Sequence, residues 1–158
     1  MSMFQEVLKI IEERCGKGKD NIISLATIGI GEDGKPRPYV REVDGFYEDG
    51  AFYVTTSASS AKMRQISQNP EVAFAASNQW FYGHGIGENL GWVLDPKNSE
   101  LRAKLRAAFA AWYEHANDEN HKDCVILAIR ITSATVIQDF GAIRYRIDFL
   151  AQTATQEK

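Results

Sequence analysis

The chain has 158 residues, with 18 Lys plus Arg against 21 Asp plus Glu, a net charge of −3 and a pI near 5.6. This length suits one domain that buries a real core, and 44% hydrophobic with 25% charged residues is an ordinary globular composition. The acidic balance gives no global field for nucleic acid or an anionic membrane, no apolar run approaches the roughly 20 residues of a bilayer span, and the first residues lack a signal peptide's apolar stretch. The expectation is therefore a cytoplasmic protein with neither nucleic-acid nor membrane partners.

In chain order, Phe4, Val7, Leu8, Ile10 and Ile11 form one stripe over Phe4–Arg14, predicting an amphipathic helix that ends before Gly16. Ile22–Ile30 is β-rich, and Glu32-Asp33-Gly34 supplies a hairpin turn. Arg37–Tyr47 returns as a strand whose start is confined by Pro36 and Pro38 to an edge or an irregular position. Glu48-Asp49-Gly50 turns again into the strand Ala51–Ser57. The period then changes, and Ala61–Gln68 reads as a helix stopped by Asn69-Pro70. Val72–Ser77 and Trp80–Gly87 are further strands; the second contains Gly83, Gly85 and Gly87, which suggests a bulge or a close backbone approach to a ligand.

Asp95-Pro96-Lys97-Asn98-Ser99 reads as a helix entry with Ser99 as N-cap, and Leu101, Leu105, Phe109 and Trp112 follow down one core-facing side. Asp118–Asp123 is a polar loop. Cys124–Ile131 is a strand that Ala134–Phe140 extends or pairs with, Arg144–Phe149 closes the set, and Ala151–Lys158 is a polar tail expected to fray. Six or seven strands with inserted helices, not alternating as βαβ units, argue for a mainly β antiparallel barrel in a single domain over 1–150 with a tail over 151–158.

Cys15 and Cys124 sit in no metal spacing, and His121 three residues before Cys124 gains no converging ligands, so no metal site is predicted. The stretch that can carry chemistry is Thr55-Thr56-Ser57-Ala58-Ser59-Ser60-Ala61-Lys62. Hydroxyls crowd a strand-to-helix passage, where free first-turn N–H groups suit an anionic oxygen. Lys62 opposes the helix dipole there, and it gains if an anion lies between it and the helix end. Taken alone, the segment is equally a helix capped by Ser60 with Lys62 in solvent.

The ordered run from Gly34-Lys35-Pro36-Arg37-Pro38-Tyr39-Val40-Arg41, through the Glu48-Asp49-Gly50 hairpin, to Thr56-x-x-x-Ser60-x-Lys62 and Asn69-Pro70-x-Val72 resembles a known family. It is similar to the pyridoxamine 5′-phosphate oxidase-like FMN-binding split β-barrels, especially their small general-stress-protein-like members. The similarity continues through Trp80 to Gly85 and into Asp139-Phe140-Gly141. It implies FMN as cofactor, with the strand around Tyr39, Val40 and Arg41 along the flavin ring and Thr55 and Thr56 beside the ribityl chain and phosphate. Ser60 and Lys62 would hold the phosphate, and Trp80 would lie near the ring and the subunit interface of a homodimer. A flavin-dependent oxidoreductase using NADH or NADPH and a small acceptor is the implied activity, with no catalytic acid or base assignable. No histidine follows His121, so oxidation of pyridoxamine phosphate itself is not expected. The alternatives are a non-catalytic flavin-binding stress protein, or the same barrel carrying F420 or haem.

Overall fold

Side chains of Ile23, Leu25 and Thr27 alternate inward along β1 (Asn21–Ile30), because successive side chains of a strand point to opposite faces. In the computed structural model, which describes residues 1–157, β1 joins β2 (Pro36–Glu48), β3 (Ala51–Ser57), β4 (Glu71–Ala76), β5 (Phe81–Trp92) and β6 (Cys124–Gln138) in one antiparallel sheet. The order is β3-β2-β1-β4-β5-β6, and pairing of β3 with β6 closes six strands into a barrel. Two further strands, β7 (Ile143–Asp148) and β8 (Thr153–Glu157), extend the sheet beyond β6. The fold is thus the mainly β, helix-inserted split barrel expected from the sequence, with eight strands rather than six or seven.

The split lies between β2 and β3. β2 pairs with β1 from Pro36 to Gly45 but meets β3 only over Phe46–Glu48. Its first part is therefore a free edge, which is why Pro36 and Pro38, lacking an N–H, are tolerated there. Asp49 (φ 48°) and Gly50 (φ 80°) both take the left-handed conformation that a two-residue hairpin demands.

Inside the barrel Phe74 meets Phe52 and Phe81 edge to face, and Phe52 and Phe81 are tilted at 38°, with centroids 5.1–6.1 Å apart, surrounded by Ile23, Leu25, Leu127 and Ile129. Helix α1 (Met3–Cys15) closes one end with Val7, Ile11 and Cys15, all fully buried. Helix α2 (Ala61–Gln68) closes the other with Met63 and Ile66. Helices α3 (Ser99–Ala108) and α4 (Tyr113–Ala116) pack outside, where Leu105, Phe109 and Tyr113 form a second core with Phe46 and Ile126.

Two expectations are corrected and two open alternatives are decided. Ser99 does not cap a helix; Asp95 does, accepting from Lys97 N at 3.0 Å ahead of a single 3₁₀ turn, and Ser99 is already helical. Of the two readings of Ala134–Phe140, extension holds: it continues Cys124–Ile131 as one strand, β6, as far as Gln138. Residues expected to fray after Ala151 instead pair as β8 along Arg144–Asp148, since a partner edge outweighs a polar composition. The glycines of β5 do mark a bulge, between His84 and Gly85, but their close approach is to protein. A β-carbon on Gly83 would sit 2.7 Å from Ala134 Cα, and one on Gly85 would sit 2.7 Å from the Arg130 carbonyl oxygen.

Candidate functional site

The barrel end under α2 gathers the polar residues singled out in the sequence. Ser60 precedes α2 in an extended conformation, φ −65° and ψ 157°, as an N-cap should, yet its side chain makes no capping bond. Its Oγ is buried without a hydrogen-bond partner, a state that costs about 1–3 kcal/mol unless something else fills it. One turn into the helix, Lys62 is half-buried, and among the described residues it forms no ion pair with a carboxylate. Burial, and then the positive charge of Arg41, push its ammonium below the ordinary lysine range.

Arg41 likewise forms no ion pair with a carboxylate among the described residues. Its Nη1 donates to Thr27 Oγ1 (2.7 Å) and the Leu25 carbonyl (3.2 Å), and its Nη2 donates to Gln65 Oε1 (3.0 Å). All these acceptors are neutral, so they orient the guanidinium and leave its charge uncompensated. Burial lowers its pKa. Thr27 Oγ1 also donates to Gln65 Oε1 at 2.5 Å, which ties β1, β2 and α2 together. Thr27 and Gln65 escaped the sequence reading. Gln65 stands one helical turn after Lys62, and Thr27 follows Ile23 and Leu25 on the inward face of β1, but only the folded structure makes them partners of Arg41.

Two neutral-facing cations, an unsatisfied hydroxyl and uncapped first-turn amides form a cradle for an oxyanion. Tyr39 lies beside it, its ring against Gly29 and near Gln65, where a β-carbon on Gly29 would be 2.8 Å from the Tyr39 ring. Val40 points the other way, 70% exposed on the outer sheet face. Thr55 and Thr56 pair opposite different cores, although both line the smaller cavity described below. Thr56 pairs with Val125 of the barrel interior, whereas Thr55 pairs with Ile126 of the outer core beneath α3 and α4. Trp80 is not brought to Ser60 and Lys62 within one chain. It sits in a left-handed turn (φ 53°) before β5, next to the end of α1, and makes an edge contact with Phe140. From Phe81 to Gly87, where β5 meets Ile66 of α2, the strand spans about 20 Å.

Two cavities lie apart from the cradle. One of about 640 Å³ lies at the α1 end of the barrel, between Phe4, Leu8, Tyr47 and Phe149, and holds none of the candidate cofactor-binding residues. The smaller, about 240 Å³, lies between the end of β3 and the inserted helices, lined by Thr55, Ser57, Trp112, Asn117, His121 and Asp123 among others. Its helical wall is braced by Glu119, which accepts from Arg102 (2.5 Å), Arg106 (2.5 Å) and Tyr113 (3.1 Å) and is held below the usual carboxylate range mainly by Arg102. Trp112 Nε1 donates to Asp20 at 2.7 Å. Asp20 in turn neighbours Asp44 of β2, whose carboxyl is pushed up to about 6 by burial and by the adjoining carboxylate.

No protein-family model and no curated protein matches the sequence. Solved structures do share the fold. The chain superposes on a haem-binding protein from Mycobacterium smegmatis with a TM-score of 0.63 at 18% identity, over 90% of this chain and 59% of that one. It matches general stress protein 26 from Bacillus anthracis str. Sterne with a TM-score of 0.58 at 18% identity, over 85% and 92% of the two chains. A pyridoxamine 5′-phosphate oxidase-related, FMN-binding protein from Nostoc punctiforme PCC 73102 matches with a TM-score of 0.55 at 16% identity, over 99% and 96%. The chain thus spans about three-fifths of the haem-binding protein's length and nearly all of the other two. The resemblance seen in the sequence is borne out as a shared fold.

Proposed function

From the barrel shared with pyridoxamine 5′-phosphate oxidase-like proteins, we propose that this chain binds FMN, with the phosphate seated in the cradle at the start of α2. The observation that carries the reading is the buried, partnerless Ser60 hydroxyl beside Lys62 and Arg41, two cations that lack a carboxylate. A dianionic phosphate supplies what all three lack. Lys62 and Ser60 would bind it directly, Thr56 and the first-turn amides would flank it, and Arg41 would add charge from behind while its two terminal nitrogens hold Thr27, Leu25 and Gln65. Bound flavin supplies hydride and electron transfer; the protein's part is to fix its position and its electrostatic surroundings.

The ring would lie along the free edge of β2 around Tyr39 and Val40, over an outer face of small residues that includes Ala26, Ala73 and Ala75. Trp80 and Tyr82, 48% and 38% exposed, border that face. Trp80 stands too far from its own chain's cradle to meet the ring, so a second copy of the chain would contribute it, in a homodimer with flavin at the interface. We read the activity as oxidoreduction of a small substrate with NADH or NADPH as donor. Two buried free cysteines, and the absence among the described residues of any helix long and apolar enough to cross a membrane, agree with a cytoplasmic setting. The haem-binding neighbour is the reason to keep a second cofactor in view.

The test is the purified protein itself. A yellow preparation that releases FMN on denaturation, identified by mass, is the expected result. A colourless protein that takes up neither FMN nor riboflavin would end the flavin reading, and a Soret band on adding haem would replace it.

A further inference from the structure

We infer that the cavity beneath the inserted helices is a second binding site, for a small, flat heteroaromatic ring of neutral or positive charge. Its volume of about 240 Å³ suits one or two fused rings. Trp112 forms one wall and is already fixed. Its indole is stacked on Phe109 at 4.7 Å and 24°, and its Nε1 is held by Asp20, so a ring that stacks there orders little that is not ordered.

The polar groups around the cavity are set for a ligand carrying both donors and acceptors. Thr55 Oγ1 is buried with no partner, and Thr55 is a lining residue. His121 Nδ1 accepts from the Asp123 amide (3.1 Å), so the neutral imidazole carries its hydrogen on Nε2 as a donor. Asn117 donates its Nδ2 to the Tyr113 carbonyl (3.1 Å), and its Oδ1, which accepts from Cys124 Sγ (3.8 Å), has a second lone pair for a ligand donor. The charged lining residues are Asp118 and Asp123, with no Lys or Arg among them. Asp123 is kept ionised by hydrogen bonds from Ser57 and from Ser59 (2.9 Å). An anion would therefore be repelled where a neutral or cationic ring is not. The inference does not require a bound flavin: Thr55 and Ser60, the two orphan hydroxyls among the described residues, belong to different sites, and Thr56 alone borders both.

Three probes of nearly equal size separate shape from charge: 1-methylnicotinamide (cationic), nicotinamide (neutral) and nicotinate (anionic), titrated by ligand-observed NMR against the protein as purified. Saturable binding of the first two is expected, with dissociation constants on the order of 1 mM for so few atoms, and nicotinate about tenfold weaker or worse. Trp112→Leu should abolish binding. Thr55→Val, which preserves shape and removes an unsatisfied hydroxyl, should weaken it about fivefold without lowering the melting temperature. Nicotinate binding as well as the cation, an unchanged affinity in Thr55→Val, or no saturation by any probe would each overturn the inference. FMN uptake without ring binding sinks this site and leaves the cradle standing; ring binding without FMN uptake does the reverse.

Discussion

Lys62→Met separates the two consequences of an unpaired cation. The substitution keeps an aliphatic stem against the barrel end and removes the charge. A charge-assisted hydrogen bond to phosphate contributes about 1.5–3 kcal/mol, so FMN affinity should fall roughly 10- to 150-fold. Riboflavin, which has no phosphate, should lose about twofold or less. The apoprotein should respond in the opposite sense. Lys62 is half-buried beside Arg41 with its pKa depressed, first by burial and then by that charge. A depressed lysine pKa means that the folded state disfavours the proton. Its stability deficit is full below the depressed value and vanishes as pH rises through the ordinary 10.5. Removing the ammonium should therefore stabilise the apoprotein near neutral pH, by about 1 kcal/mol or less after solvent screening, which is a rise of roughly 1–4 °C in Tm at this chain length. The assays are equilibrium dialysis against both flavins and thermal melts of the apoprotein. Equal loss of FMN and riboflavin, or a lower apo Tm, would show that the cradle reasoning is mistaken.

The remaining predictions concern the fold and its pH response. Gly83→Ala should cost about 1–3 kcal/mol, because the new methyl lands on the β6 backbone at Ser133 and Ala134; chemical denaturation should show it, and a neutral outcome would mean that β5 and β6 can part cheaply. Asp44, pushed up to about 6 by burial and Asp20, contributes stability that is present below about pH 4 and lost as pH rises through about 6. Asp44→Asn should thus melt above the natural protein at pH 8 and level with it at pH 4, and an equal shift at both would exclude carboxyl titration as the cause. Leu105→Ala removes a fully buried anchor of the outer core and should cost about 2–5 kcal/mol by denaturant midpoint; a cost under about 1 kcal/mol would mean that α3 adds little to stability.

Much of the fold was legible in the sequence because it is written in local rules. The limits of β3 and α2 were read to the residue, since a change from period two to period 3.6 and an Asn-Pro stop are properties of the chain itself. The edge position of Pro36 and Pro38 followed from their missing N–H. The misread points are those where a distant partner decides. Ala151 onward has a loop's composition and becomes β8 because β7 offers a free edge. The glycines of β5 left a bulge or room for a ligand open, and their contacts with β6 and α2 decide for the bulge.

The sequence by itself determined that hydroxyls and a lysine would crowd a strand-to-helix turn within a barrel, since side-chain type and local period suffice for that. Whether those groups are satisfied depends on neighbours remote in the chain, and only the tertiary structure decided it. Ser60 is left without a partner, Arg41 is oriented by Thr27 and Gln65, and Thr55 is turned by strand alternation toward the inserted helices and away from the cradle. Trp80 shows the same division: it stands before β5 beside the end of α1, whereas Gly87, further along that strand, meets Ile66 of α2. A strand carries residues of one sequence pattern to opposite ends of a barrel.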